Sequence, residues 1–215
     1  MEVVMAVLTL LNQKGGVSKT TLAISLACRW YLGGFKVAVI DADPQASVMH
    51  WREIQSSDSK LLGIDVYKAE NANDVREVKG LCSDYDYIII DTAGTDKHIS
   101  EVALSVSDAA LIPVQAAMFD IKASKASLDL AKSQGVVVAY CVTRVVSGSD
   151  LGEGARSVLA ASETPVVKKM MGQYIAYNRA MNAGESVQTL FPGSRAAQNL
   201  EAVGQGVEKV FGWSK

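Results

Sequence analysis

The sequence predicts an α/β protein, a doubly wound, mostly parallel sheet with helices on both faces, folded as a single domain over residues 1–215. Three observations predict it. Short, β-rich apolar runs alternate with segments of helical spacing; the first run leads directly into a glycine turn and a helix; and two later runs each end in aspartate. With 215 residues, 49% of them hydrophobic, the chain can bury one sizeable core but is short for two ordinary domains.

Taken in order, Val3 to Leu11 is apolar but lacks a basic leader and a cleavage site, so it reads as a first strand and not as a signal segment. Thr20 to Leu32 has helical spacing, Lys36 to Ile40 reads as the second strand, and a helix follows near Ala46 to Gln55. A further helix is predicted near Asn73 to Cys82, where Gly80 and β-branched residues compete with the periodicity. Tyr87 to Ile90 and Ala109 to Val114 are the next strands, separated by a helix near Ile99 to Ser105. The pattern continues with a helix near Ile121 to Gln134, a strand Val136 to Thr143, a helix near Leu151 to Ala161 and a short strand near Val166 to Lys169, after which only helices are expected. Near-continuous apolar runs are what strands buried on both faces look like.

Composition limits the functional classes. The net charge is −2, with charged residues interspersed, which argues against an acidic tail, a basic arm or a disordered chain. No stretch approaches the ~18 uninterrupted apolar residues of a membrane span, so a cytoplasmic protein without a membrane role is expected. Cys28, Cys82 and Cys141 are scattered through apolar patterns and read as small core residues, not as disulfides or a metal cage.

The first strand ends in Asn12-Gln13-Lys14-Gly15-Gly16-Val17-Ser18-Lys19-Thr20-Thr21, followed at once by Leu22-Ala23-Ile24-Ser25-Leu26-Ala27. Such a junction aims successive backbone N–H groups and the positive end of a helix dipole at one spot, and glycines remove the Cβ atoms that would block a close approach. A polyphosphate fits there. Lys19 supplies a cation for the β and γ phosphates, and the Thr20 hydroxyl can sit on Mg²⁺. Two aspartates, Asp41 and Asp43, end the second strand and point the same way at the carboxyl edge of the sheet, where open α/β sheets bind ligands. Asp91 ends the Tyr87 run and would hold Mg²⁺ through water opposite Thr20.

The loop departs from the ordinary P-loop pattern, since Gln13 and Ser18 stand where glycines are usual, but it matches KGGxxKTT. Together with DxDPQ (Asp41 to Gln45) and the Asp91-Thr92-Ala93-Gly94 strand end, it resembles the deviant Walker A ATPases of the ParA and MinD superfamily, most closely the small plasmid-partition ParA (ParF-like) proteins. The resemblance extends through Leu111-Ile112-Pro113-Val114-Gln115 and Val142-Thr143-Arg144 to Ile175-Ala176-Tyr177-Asn178-Arg179-Ala180. It implies ATP and Mg²⁺ as cofactors, with Gly15, Gly16, Val17, Ser18, Lys19, Thr20, Thr21 and Gly94 at the nucleotide. It further implies catalytic roles for Lys14, reaching across a dimer to the partner's nucleotide much as an arginine finger does, and for Asp43, orienting the attacking water. Asp41 would serve the Mg²⁺ waters beside Thr20 and Asp91, and Gly94 would let a backbone N–H follow the γ-phosphate. Arg144 either stacks on or bonds to adenine, or is a surface arginine at a strand end.

As to partners, the resemblance implies a homodimer formed on ATP binding, nonspecific DNA, and a centromere-binding or adaptor protein, with the ATP state associated with the nucleoid. No DNA-binding domain is expected ahead of the loop. Residues 1–143 carry 13 basic and 17 acidic residues and residues 144–215 carry 8 and 6, so the C-terminal part is net +2 against −4. Lys168, Lys169, Arg179 and Arg195 are candidate DNA-phosphate contacts, or a solvated face. A membrane-cycling MinD-like switch would need a basic amphipathic last helix, yet Lys209 is the one basic residue within the stripe Leu200, Val203, Val207, Val210 and Phe211. A small-molecule ligase on the same fold would need a second substrate pocket whose residues are not apparent, and an iron-sulfur reductase would need cysteines around the switch segments.

Overall fold

The computed structural model of the chain describes residues 5–213. In chain order its elements are β1 (Ala6–Leu10), α1 (Lys19–Leu32), β2 (Val37–Ala42), α2 (Ser47–Glu53), β3 (Asp65–Lys68), α3 (Ala72–Leu81), β4 (Tyr87–Thr92), α4 (Lys97–Ser105), β5 (Ala109–Gln115), α5 (Met118–Ser133), β6 (Val137–Thr143), α6 (Leu151–Ala160), α7 (Ile175–Asn182), α8 (Val187–Leu190) and α9 (Arg195–Phe211). The strands form one sheet in the order β3-β2-β4-β1-β5-β6, and every pairing is parallel. β1, which delivers the glycine loop, sits in the interior beside β4 and β5.

Alternation along the strands divides the core between two faces. Leu8, Leu10, Val39 and Ile89 pack with α1 and with Leu200, Val203 and Val207 of α9, while Val7, Ile40, Ile88 and Ile90 pack with α3 and α4 on the other side. Beyond β1, Ala110, Ile112 and Val142 extend that second face beneath α5 and α6. Arg29 fastens α9 to α1, reaching Glu201 at 3.0 Å and Glu208 at 2.6 Å, and the Trp30 indole donates to Glu208 at 2.9 Å. The sheet is therefore covered on both sides, and its carboxyl edge is left for the site.

Three expectations need correction. β3 was not predicted: Asp65 and Lys68 break the apolar run of an edge strand that is covered on one side only. The strand expected at Val166 to Lys169 is a single bridge between Tyr140 and Val166, and the segment is tied to β6 by backbone bonds at Pro165, Val167 and Met171. Helix α5 starts three residues earlier than its apolar periodicity suggested, at Met118, which brings Asp120 into its first turn. The doubtful helix α3 does form, closed by a capping box between Asn71 and Asp74. Cys28 and Cys141 are buried, Cys82 is half-buried, and all three are free thiols. Val3 and Val4 of the predicted first strand lie outside the described residues.

Candidate nucleotide-binding site

The loop between β1 and α1 is held from outside by its carbonyls. Gly16 accepts from Gln115 Nε2 at 2.9 Å and from Arg144 Nη1 at 3.3 Å, Val17 accepts from Thr143 Oγ1 at 3.0 Å, and Ser18 accepts from Leu22 N at 2.9 Å. Asn12 braces its entry, donating to the Pro113 carbonyl and accepting from Lys14 N, both at 2.8 Å. The donors left to the loop are its N–H groups at a helix N-terminus, the arrangement that binds phosphate. Gly16 and Ser18 both adopt left-handed backbone, with φ 77° and 69°; Gly16 does so freely, whereas the Cβ of Ser18 makes its conformation strained. Lys19 lies nearly buried, its Nζ donating to the Lys14 carbonyl at 3.3 Å. Burial lowers its pKa, against the opposing fields of Asp91 and Asp43.

The carboxylates meet this loop because of sheet register. Leu10, Asp91 and Asp41 stand side by side across β1, β4 and β2, so both aspartates point to the α1 face, where Thr20 lies in the first turn of the helix. Thr20 Oγ1 donates to Asp91 Oδ2 at 2.6 Å, while Asp91 Oδ1 is fully buried and has no protein partner. Burial pushes the Asp91 carboxyl up to about 7, opposed by the Thr20 hydrogen bond and reinforced by Asp41. An orphaned buried carboxylate oxygen next to a hydroxyl suits a hard divalent cation, which would supply both the missing partner and the charge that keeps Asp91 ionised. Asp41 differs. Its oxygens accept from the backbone N–H groups of Asp43 at 3.2 Å, Val48 at 2.8 Å and Met49 at 3.0 Å, bonds that oppose the upward shift imposed by burial. Asp41 thereby anchors the start of α2. Asp43 is half-buried and closes a turn by accepting from Gln45 N at 2.9 Å.

Above these groups opens a cleft of about 710 Å³, within the ~300–1,000 Å³ usual for small-molecule sites. It gathers Gly15, Gly16, Ser18, Lys19, Thr20, Thr21, Asp43, Gly94 and Arg144 from the predicted residues, with Val17 turned into the core. Gly94 presses on the loop: a Cβ there would lie 2.6 Å from the Gln13 carbonyl oxygen and 2.8 Å from that of Asn12. The opposite wall, Met171 to Tyr174 with Tyr177 and Asn178, was not assigned to the site from sequence. Backbone bonds from Val145 N to Met171 and from Gln173 N to Val145 align it with the end of β6, a relation the residue pattern does not signal.

Lys14 does not line the cleft, and its ammonium pairs with Asp120 of α5. Lys168, Lys169, Arg179 and Arg195 are all exposed and outside the cleft. The backbone at Lys168 and Lys169 runs past Gly206, eleven residues along α9 from Arg195, roughly 16 Å at the helical rise.

A parallel sheet with a glycine loop leading into a helix, and an Asp–Thr pair beneath it, defines a P-loop nucleotide-binding domain. The chain belongs to the CobQ/CobB/MinD/ParA nucleotide binding domain family, whose model matches residues 8–193. It is 23% identical to the maintenance of carboxysome distribution protein A of Halothiobacillus neapolitanus over 95% of each chain. It is also 23% identical to the sporulation initiation inhibitor protein Soj of Bacillus subtilis, over 89% of this chain and 94% of Soj. Among solved structures it resembles the septum site-determining protein MinD of Pyrococcus horikoshii, described with Mg-ADP, at a TM-score of 0.76 and 19% identity over 96% and 97% of the two chains.

Proposed function

We propose that the chain is an ATPase that switches between a single subunit and an ATP-bound dimer to position a cargo such as a plasmid, the dimer holding nonspecific DNA. The observation that carries this reading is Lys14: a second loop lysine does not line its own cleft, and by exchanging Asp120 for another anion it can serve a neighbouring one. In the proposed cycle the N–H groups from Gly15 to Thr21, with Lys19, hold the phosphates, and Arg144 borders the base. Thr20 and Asp91, with Asp41 behind them, would hold Mg²⁺, which would supply charge neutralisation for the phosphates. Asp43 orients the attacking water and takes up its proton, and Lys14 of the opposing subunit stabilises charge on the transferring phosphoryl group. Gly94 transmits loss of the γ-phosphate to the following segment.

The relative named for maintenance of carboxysome distribution supports a positioning role, and a centromere-binding or adaptor protein is the proposed stimulator. The protein is proposed to be cytoplasmic and associated with the nucleoid in its ATP state. No helix among the described residues is long and apolar enough to cross a membrane. Leu200, Val203 and Val207 are buried against the core, which favours a packing role for α9 over membrane cycling in the manner of MinD. The deciding experiment is DNA retention with ATP, ADP and no nucleotide across a salt series. An ATP-only signal that falls steeply with salt is expected, with Lys168, Lys169, Arg179 and Arg195 contributing to the slope. Nucleotide-independent binding, or turnover only with an added small carboxylic acid, would instead support a different function, the latter a ligase on the same fold.

A further inference from the structure

The cleft wall from Met170 to Tyr174 runs beside β6, the last strand of the sheet, and an extended segment has backbone groups on two edges to satisfy. Its inner edge bonds to β6 and the residues just beyond it: Met171 N donates to Val142 O at 2.8 Å, Val145 N to Met171 O at 3.1 Å, and Gln173 N to Val145 O at 2.8 Å. The outer edge is met by one side chain. Asn199 of α9, 7% exposed, accepts from Gly172 N and donates to Met170 O, both at 2.9 Å, so its planar amide takes the place of a neighbouring strand. The buried Tyr177 hydroxyl also reaches this amide, donating to Oδ1 at 3.4 Å and to the Ala196 carbonyl at 3.3 Å.

What the amide holds is the part of the cleft that the phosphate loop leaves to the rest of a nucleotide. A Cβ on Gly172 would stand 2.4 Å from Cε2 of Tyr174, so the position of Gly172 limits where that ring can lie. On the inner edge, Val145 follows Arg144, whose backbone is left-handed at φ 55°. Gly172, Tyr174, Tyr177 and Arg144 all line the cleft, whereas Asn199 does not. Its helix is a fixed support, since Arg29 of α1 pairs with Glu201, two residues further along. From this geometry, and resting on the reading of the cleft as a nucleotide site, we infer that Asn199 is a positioning residue for nucleotide binding: it holds the wall against which the base and ribose lie, while the loop grips the phosphates without it. Removing the amide leaves the Gly172 N–H and the Met170 carbonyl without their partner, and the nucleotide must then order the wall itself, at the expense of affinity.

The test compares wild type and Asn199→Ala by calorimetric titration with ADP and with inorganic tripolyphosphate, both with Mg²⁺, and by amide hydrogen exchange. ADP affinity is expected to fall about tenfold while tripolyphosphate affinity stays within about twofold, because two hydrogen bonds to the wall are lost and none to the loop. Exchange should quicken at Gly172 and stay unchanged from Gly15 to Thr21. If both ligands weaken equally, Asn199 supports the fold as a whole and the inference is overturned. It is also overturned if ADP affinity is unchanged, whether or not the wall exchanges faster. Tyr177→Phe, which removes only the hydroxyl resting on the amide, serves where Asn199→Ala does not fold: the same split is expected at about two- to fivefold, and an unchanged ADP affinity or an equal loss of both ligands overturns the inference. A wild type that binds neither ligand overturns the nucleotide reading itself.

Discussion

Replacing Gly94 by alanine probes the contact between the strand-end segment and the phosphate loop with a single methyl group. The added carbon would stand 2.6 Å from the Gln13 carbonyl oxygen and 2.8 Å from that of Asn12, where ordinary contacts begin at 3.4 Å, so something must move by several tenths of an ångström. Retreat of the loop is resisted, because the Asn12 amide is fixed to Pro113 at 2.8 Å and Gln13 N to the Ser127 hydroxyl at 3.1 Å. Overpacking of this kind typically costs ~1–3 kcal/mol. In a chain of this size that is a fall in Tm of a few to roughly ten degrees. Because the displaced atoms lead into the phosphate-binding N–H groups, nucleotide affinity should fall about ten- to a hundredfold. Titration of a fluorescent ADP analogue, alongside thermal unfolding, measures both. Wild-type affinity and Tm in the variant would refute the contact as a mechanical link between the two segments.

Ser18→Gly should relieve the left-handed strain at the start of α1 and stabilise the protein by about 1 kcal/mol in denaturant unfolding, provided the loop keeps its shape. Lys19→Ala should abolish ADP binding in the same fluorescence titration, as it removes the cation at the floor of the loop. Asp91 supplies a pH prediction: burial holds its folded pKa at about 7, above the ~3.9 of a free aspartate, so the folded state holds the proton more tightly. Its contribution to stability is complete below about pH 4 and is lost as pH rises through about 7, at up to roughly 1.4 kcal/mol per pH unit in between. Urea unfolding of wild type and Asp91→Asn without Mg²⁺ should therefore give stabilities that diverge across that range; parallel curves would contradict the assignment.

The parts of the site that could be read from sequence are those that phosphate chemistry forces to be contiguous. Leu10 to Thr21 must be a strand end, a glycine turn and a helix start in succession, and Asp91 must close an apolar strand, so local order alone reveals them. The position of Asp41 near the end of an apolar run is a local signal, yet its work as an anchor for α2 depends on N–H groups seven and eight residues away that a motif does not display. Asp120 was invisible because its partner lies 106 residues earlier and the α5 periodicity begins only after it. The wall from Met171 to Tyr174 escaped for a related reason: it has no regular period and is shaped by backbone bonds to the end of β6. In the fold, strands buried on both faces were legible as apolar runs, whereas β3, half covered at the sheet edge and carrying Asp65 and Lys68, was not.

The central claim, that ATP joins two copies through Lys14, is tested most directly by the solution mass of Asp43→Ala, a variant expected to bind ATP without hydrolysing it. With ATP and Mg²⁺ light scattering should give about 46 kDa, twice the 22.9 kDa chain, and adding Lys14→Ala should return the mass to that of one subunit. A 22.9 kDa species in saturating ATP, or a dimer indifferent to the loss of Lys14, would contradict the account.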